Sequence, residues 1–230
     1  MVIGNGMIAN RFINYKDDKN TIIFASGVSN SKDTDEEKFL REFNLLEQTV
    51  RDHPENNIVY FSTCSIQDSD LASYPYIIHK KRIEEFVKKN VGAYYIFRVS
   101  NVAGISNNPY TLLNYFIFNI LKGNPLTVWK NAGRNIIGID DMYAIVNYFL
   151  SEEKQLNTTI NIANPENYPV PYIIACIERH LNKRAICNEI ERGTDYRIDV
   201  SEIKPVTNKL NLQFDKNYLP SLLKKYYHSR

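Results

Sequence analysis

The stretch Ile58-Val59-Tyr60-Phe61-Ser62-Thr63-Cys64-Ser65, followed by Pro75-Tyr76-Ile77-Ile78-His79-Lys80, decides how this chain is read. Its first four residues are β-branched or aromatic, the composition of a buried strand. Proline suits the first turn of a helix, and the segment from Pro75 to about Lys89 is predicted to be one. Tyr76 and Lys80 stand four residues apart and so share a helix face, close to the helix start. Thr63 sits just past the strand, at the carboxyl edge where a parallel sheet presents ligands. The helix dipole and an adjacent ammonium both favour tyrosinate, so a phenol of ordinary pKa about 10 is expected to act nearer neutrality. That is acid/base equipment for moving a proton on or off a hydroxyl. The plainer alternative is a packed tyrosine beside a surface lysine. Tyr74 is a weaker choice, because its four-residue partner is Ile78; Ser65 and Lys81 are neighbours of the same site.

Upstream, Met1 to Ile3 reads as a very short strand, closed by Gly4-Asn5-Gly6-Met7-Ile8-Ala9 and a helix to about Tyr15. Strand, glycines and helix start make a phosphate seat, since the backbone can approach the ligand and free amides bind it. A tight turn without a ligand is the alternative, because the pattern is short. Thr21 to Ala25 is a second strand, and Asp33 to Asp52 a helix with Phe39, Phe43, Leu46 and Val50 on one stripe. No acidic residue stands at the tip of the Thr21 strand, where a dinucleotide fold usually holds the adenosine ribose.

Downstream come a strand at Tyr94 to Val99, a helix at Pro109 to Lys122 stopped by Gly123, and a short strand at Leu126 to Trp129. A helix at Asp140 to Leu150, a strand at Thr159 to Ile162, a helix at Pro171 to Leu181 and a tail helix at Tyr218 to Arg230 follow. Alternating strands and helices predict an α/β fold, a Rossmann-like parallel sheet flanked by helices. A soft boundary near residue 105 separates a cofactor-binding part, 1–105, from a smaller α/β substrate-binding part, 106–230, the two intertwined into one domain.

Composition narrows the classes. The 230 residues are 43% hydrophobic and 23% charged with a net charge of +2, which gives no bulk electrostatic case for nucleic acid or a membrane surface. No apolar run approaches the roughly 20 residues of a membrane span, and no leader opens the chain, so a cytoplasmic protein is expected. Cys64, Cys176 and Cys187 are odd in number and irregular in spacing, which fits free thiols and no metal site.

In this order the segments resemble the short-chain dehydrogenase/reductase superfamily. They are most similar to its extended branch of NAD(P)-dependent nucleotide-sugar epimerases, dehydratases and reductases. The glycine turn stands at the pyrophosphate loop, Phe24-Ala25-Ser26-Gly27-Val28 at the strand end beneath the cofactor, and Ser62-Thr63 with Tyr76 and Lys80 at the catalytic set. Arg98-Val99-Ser100-Asn101-Val102-Ala103-Gly104 and Arg134-Asn135-Ile136-Ile137-Gly138-Ile139-Asp140-Asp141 are similar to segments that meet nicotinamide and substrate diphosphate. The run Ser62 to Lys80 is closest to capsular-polysaccharide sugar epimerase/reductases.

The resemblance implies Thr63, Tyr76 and Lys80 as catalytic residues. It implies NAD or NADP held by Gly4, Asn5, Gly6, Met7, Ile8, Ala25, Ser26, Gly27 and Val99, together with Tyr76 and Lys80. It implies a nucleotide-sugar met by Ser65, Asn101 and Arg134, a product feeding lipopolysaccharide or capsule assembly, and a homodimer through the helices at 33–52 and 75–89. The departures are specific. Between Ala9 and Ala25 there is no room for the strands and helices that normally bind adenosine, which leaves a sheet edge exposed. His79 replaces a common serine and Asn135 a common aspartate. A second reading follows: a cofactor-poor, non-catalytic relative that binds a sugar nucleotide or a partner protein.

Overall fold

The structure is a computed structural model, described over residues 1–28, 30–152 and 155–227. Five parallel strands form the main sheet: β1 (Val2–Ile3), β2 (Thr21–Phe24), β3 (Asn57–Thr63), β4 (Tyr94–Val99) and, from far along the chain, β9 (Thr158–Ile162). Their spatial order is β1-β2-β3-β4-β9, so strand order runs one way from β1. A doubly wound sheet continues past its first strand on the other side. Here β1 is the edge, two residues long, and bonded only to β2.

Alternation along the strands assigns the helices. Ile22, Phe24, Ile58, Tyr60, Tyr94 and Ile96 face one side, with Leu46 of α2 (Glu36–Asp52) and Ile83 and Val87 of α3 (Pro75–Asn90). Ile23, Val59, Phe61, Tyr95 and Phe97 face the other. That side packs on Phe12, which follows α1 (Met7–Arg11), and on Met142, Ile145, Val146 and Phe149 of a later helix. A period of two on a sheet covered on both faces yields these continuous apolar strands. Each helix has its stop and start signals. Asp35 caps α2 by accepting from the Glu37 amide, and Pro75 opens α3.

Beyond β4, the short strand β5 (Asn101–Ala103) leads to α4 (Leu112–Lys122), which ends on Gly123 at φ 69°. Then come β6 (Pro125–Trp129), β7 (Gly133–Arg134), β8 (Ile136–Gly138) and α5 (Ile139–Ser151), the helix that covers the main sheet. After β9 follow β10 (Tyr168–Pro169), α6 (Val170–Leu181), β11 (Ile186–Ile190), α7 (Lys204–Lys209) and α8 (Tyr218–Tyr226). Three small pairings, β5 with β8, β7 with β10 and β6 with β11, tie this half together around the buried faces of α4, α6 and α8.

Most predicted elements stand within a few residues of their expected places. The first helix is split: α1 stops at Arg11, and Ile13–Tyr15 is a 3-10 turn. The tail helix ends at Tyr226; the part of its predicted span at 228–230 lies outside the described residues. The strands β5, β7, β8, β10 and β11 and the helix α7 carry no clear periodicity in the sequence. Among the described residues no helix is long and apolar enough to cross a membrane.

Candidate active site

Thr63 is the last residue of β3 and is buried. Its hydroxyl accepts the Ser65 amide at 3.1 Å, which turns the chain out of the sheet into two 3-10 turns leading to α3. Tyr76 is the second residue of α3, and its phenol lies beside the Thr63 side chain. Lys80 lies one turn on, with Nζ 5.8 Å from the Tyr76 ring centre. The three predicted catalytic side chains therefore share one place at the carboxyl edge of the sheet.

Their electrostatics depart from the expected picture. Lys80 is 3% exposed, and Nζ donates to Glu42 Oε1 of α2 at 2.8 Å and to the Tyr60 hydroxyl at 2.9 Å. Glu42 is fully buried and its four acceptor positions are filled. Oε1 also takes the Tyr60 hydroxyl at 2.9 Å; Oε2 takes the Val28 amide at 2.7 Å and His79 Nε2 at 3.0 Å. Burial opposes the Glu42 charge, yet Lys80 and the hydrogen bonds hold its pKa at about 2. Burial likewise opposes the Lys80 charge, and Glu42 more than offsets it, so the lysine pKa is raised.

Tyr76 is corrected in direction. Burial pushes its phenol above the ordinary tyrosine value; Lys80 and the Thr63 hydroxyl pull it down, while Glu42 adds to the rise, and the net is upward. The sequence shows the ammonium but not the carboxylate that balances it. Glu42 recurs with the buried residues Phe39, Leu46 and Thr49 of α2, and a glutamate on an apolar stripe is the signal that would have found it.

The glycine turn passes over the end of β2. Gly4 has φ 125°, and a Cβ there would lie 2.4 Å from the Ala25 carbonyl oxygen, so only glycine fits. A Cβ on Gly6 would meet nothing within 4 Å. Gly6 caps α1 without a side-chain bond, so the first amides of α1 face outward. Met7 and Ile8 are partly buried against the sheet core, and Asn5 is exposed. Ala25 is tied to β1 through its amide on Ile3, Ser26 is half-buried, and Gly27 lies directly over the ion pair. A Cβ on Gly27 would stand 2.8 Å from Lys80 Nζ and 3.1 Å from Glu42 Oε1. Gly27 and Val28 also line an open cleft of about 360 Å³ with Asn30, Lys32, Arg41 and Tyr110.

The other predicted residues divide. Val99 ends β4 and is buried in the sheet core. Ser100, next in the chain, has a buried Oγ with no hydrogen-bond partner. Asn101 is used as a strap, its side chain donating to the Asn135 carbonyl at 2.8 Å. Asn135 is itself buried and donates to Asn164 O and Asn167 Oδ1 at 2.7 and 2.9 Å. Ser65 lies beside Tyr196, whose hydroxyl also feels the charge of Arg134. Arg134 lies 5.9 Å from the Trp129 ring centre, and Arg192 lies 4.6 Å from the same ring. Tyr196 and Arg192, from the irregular segment after β11, were not anticipated.

A nicotinamide dinucleotide fits this site in part. The Gly4 cradle, the open space above Gly6 and the unpaired Ser100 hydroxyl suit a pyrophosphate and a nicotinamide ribose. Among the described residues no strand stands beyond β1 to carry adenosine.

Solved structures repeat this architecture at low identity. MoeE5 in complex with UDP-glucuronic acid and NAD superposes with TM-score 0.71 and 15% identity, over 88% of this chain and 76% of that one. The dTDP-glucose 4,6-dehydratase of Bacillus anthracis str. Ames, in complex with NAD, gives 0.67 and 15%, over 96% and 76%. UDP-glucuronic acid 4-epimerase from Bacillus cereus, with UDP-glucuronic acid and NAD, gives 0.69 and 18%, over 95% and 76%. No curated protein sequence matches. Residues 21–163, from β2 to the end of β9, match a family profile described as NAD dependent epimerase/dehydratase family. The glycine turn and β1 fall outside that span, but the span holds the other four strands of the main sheet, the Thr63-Tyr76-Lys80 constellation and more than half of the chain, which therefore belongs to the NAD-dependent epimerase/dehydratase family.

Proposed function

We propose that this chain is an NAD(P)-dependent nucleotide-sugar epimerase, dehydratase or reductase acting in lipopolysaccharide or capsule biosynthesis. The observation that carries this reading is the placement of Tyr76 beside Thr63, one helical turn from Lys80, at the carboxyl edge of a parallel sheet. Tyr76 is the proton carrier at a sugar oxygen, and Thr63 orients that oxygen. Gly4, Asn5, Gly6, Met7 and Ile8 seat the pyrophosphate through backbone amides. Ala25, Ser26, Gly27 and Val99 form the floor under the nicotinamide ribose, with Lys80 beneath. A bound NAD or NADP supplies the hydride exchange at a sugar carbon. Ser65, through Tyr196, and Arg134 beside Trp129 face the nucleotide-sugar, while Asn101 holds the two halves, 1–105 and 106–230, in register.

A second reading, a non-catalytic relative that binds a sugar nucleotide or a partner protein, draws on the edge position of β1 and the engagement of Lys80 by Glu42. Titration of the purified protein with NADH and NADPH, followed by fluorescence, separates the two. Saturation below the millimolar range supports the enzyme, and no binding supports the second reading. With an active sugar nucleotide in hand, Tyr76→Phe is expected to lower turnover at least about tenfold; a smaller loss removes Tyr76 as proton carrier.

A further inference from the structure

The cluster under Gly27 is not explained by the proposed reaction. Four side chains from three elements meet there, all buried: Glu42 from α2, Tyr60 from β3, His79 and Lys80 from α3. A buried carboxylate with four donors is a costly arrangement to assemble without purpose. Its position is informative. The Lys80 ammonium has two near neighbours that matter for chemistry, the Tyr76 phenol and the Glu42 carboxylate. It is bonded to Glu42.

We propose that Glu42 is a positioning residue that holds the Lys80 ammonium on the floor of the site and cancels its charge there, leaving Tyr76 a proton donor in the resting protein. This rests on the proposed role of Tyr76 and adds a direction to it. A phenol that keeps its proton is set to deliver that proton to a substrate oxygen, the task of the reductive direction. A phenol ionised at rest would be set to remove one. Burial is the largest influence on Tyr76 and opposes tyrosinate. Of the groups beside it, Glu42 also opposes tyrosinate, while Lys80 and the Thr63 hydroxyl favour it. Tyr60, between them, donates to Glu42 and accepts from Lys80, so it carries no charge to either side. Glu84, further along α3, is engaged by Arg98 at 2.6 Å and by Ser62 at 2.6 Å.

The test needs neither cofactor nor sugar. Protein labelled with ¹³Cζ-tyrosine is titrated from pH 7 upward by NMR, with Tyr76→Phe identifying the resonance. In the wild type Tyr76 stays protonated past the ordinary tyrosine range. In Glu42→Gln the Lys80 charge is no longer cancelled, and Tyr76 is expected to ionise at least about one pH unit lower, tenfold in proton affinity. A Tyr76 titration that stays put or moves upward in Glu42→Gln overturns the proposal. If Glu42→Gln does not fold, Glu42→Asp serves, because its carboxylate is one carbon shorter and draws back from Lys80 Nζ; a downward shift of smaller size is expected and its absence is equally decisive. Failure here leaves the reaction standing. Full turnover by Tyr76→Phe would remove the reaction while leaving the titration result intact.

Discussion

Lys80→Met tests the buried pair most directly. Methionine keeps much of the lysine volume and removes the ammonium from Glu42. The carboxylate then sits fully buried with three hydrogen-bond donors and no bonded ammonium. Two routes to the magnitude agree. Holding a carboxyl at about 2 against an ordinary 4.5 is worth about 3 kcal/mol at neutral pH. Removing one partner of a buried pair destabilises by about 3–5 kcal/mol. For a chain of this size that is a drop in Tm of about 10 °C.

The pH dependence carries a sign. The native pKa of Glu42 lies below its unfolded value, so its contribution is complete above about pH 4.5 and fades as pH falls toward 2. In Lys80→Met, burial dominates, the pKa rises past the unfolded value, and acid relieves the defect. The gap between wild type and variant is therefore widest at pH 7 and narrows toward pH 4. Urea unfolding followed by circular dichroism at several pH values measures it. A gap below about 1 kcal/mol at pH 7, or one that grows in acid, refutes the account. Adding Glu42→Leu to Lys80→Met removes the stranded charge and is expected to recover much of the loss.

Gly4→Ala forces a side chain into a left-handed position 2.4 Å from the Ala25 carbonyl. A loss of about 1–3 kcal/mol in thermal unfolding, with weakened NADH binding, is expected. Because no strand among the described residues stands beyond β1, the adenosine half of the cofactor is expected to add little. NADH is expected to bind within about tenfold of reduced nicotinamide mononucleotide, and a hundredfold preference in calorimetry contradicts this. The apolar faces of α2 and α3 leave Leu40 and Ile78 more than half exposed. Light scattering is expected to show a dimer that Leu40→Glu with Ile78→Glu turns into a monomer.

The sequence is legible where one residue's neighbours are local. β4 stands where its aromatic run says, α3 opens on its proline, and α4 stops on Gly123, because period and punctuation act within a turn or two. The meeting of Thr63, Tyr76 and Lys80 follows from a strand end and the helix after it, so it too is local. What was hidden is long-range. Glu42 reaches Lys80 across 38 positions, and burial, with this carboxylate from another helix, outweighs the downward pull of the lysine on the tyrosine. Asn101 reads as a substrate contact in its own segment, but Asn135, 34 positions on, claims its side chain. The short strands β7, β8 and β10 depend on that same network and leave no period of their own.

The open edge at β1 and the engaged Lys80 bear on each other. A ligand that drew the ammonium away from Glu42 would have to offset several kcal/mol. Enzymes usually meet such demands with contacts remote from the reacting atoms. For a dinucleotide those contacts are largely adenosine contacts, and among the described residues no strand beyond β1 makes them. A ribose must therefore meet Lys80 where it stands. Two of the three ammonium hydrogens are used on Glu42 and Tyr60, which leaves one. Gly27, without a side chain, leaves the space directly over Nζ open. Gly27→Ala would fill it. NADH binding is expected to be lost in that variant while circular dichroism and the amides of the Gly4–Gly6 turn stay as in the wild type. If Gly27→Ala binds NADH as the wild type does, the cofactor does not touch Lys80, and the lysine belongs to the scaffold alone.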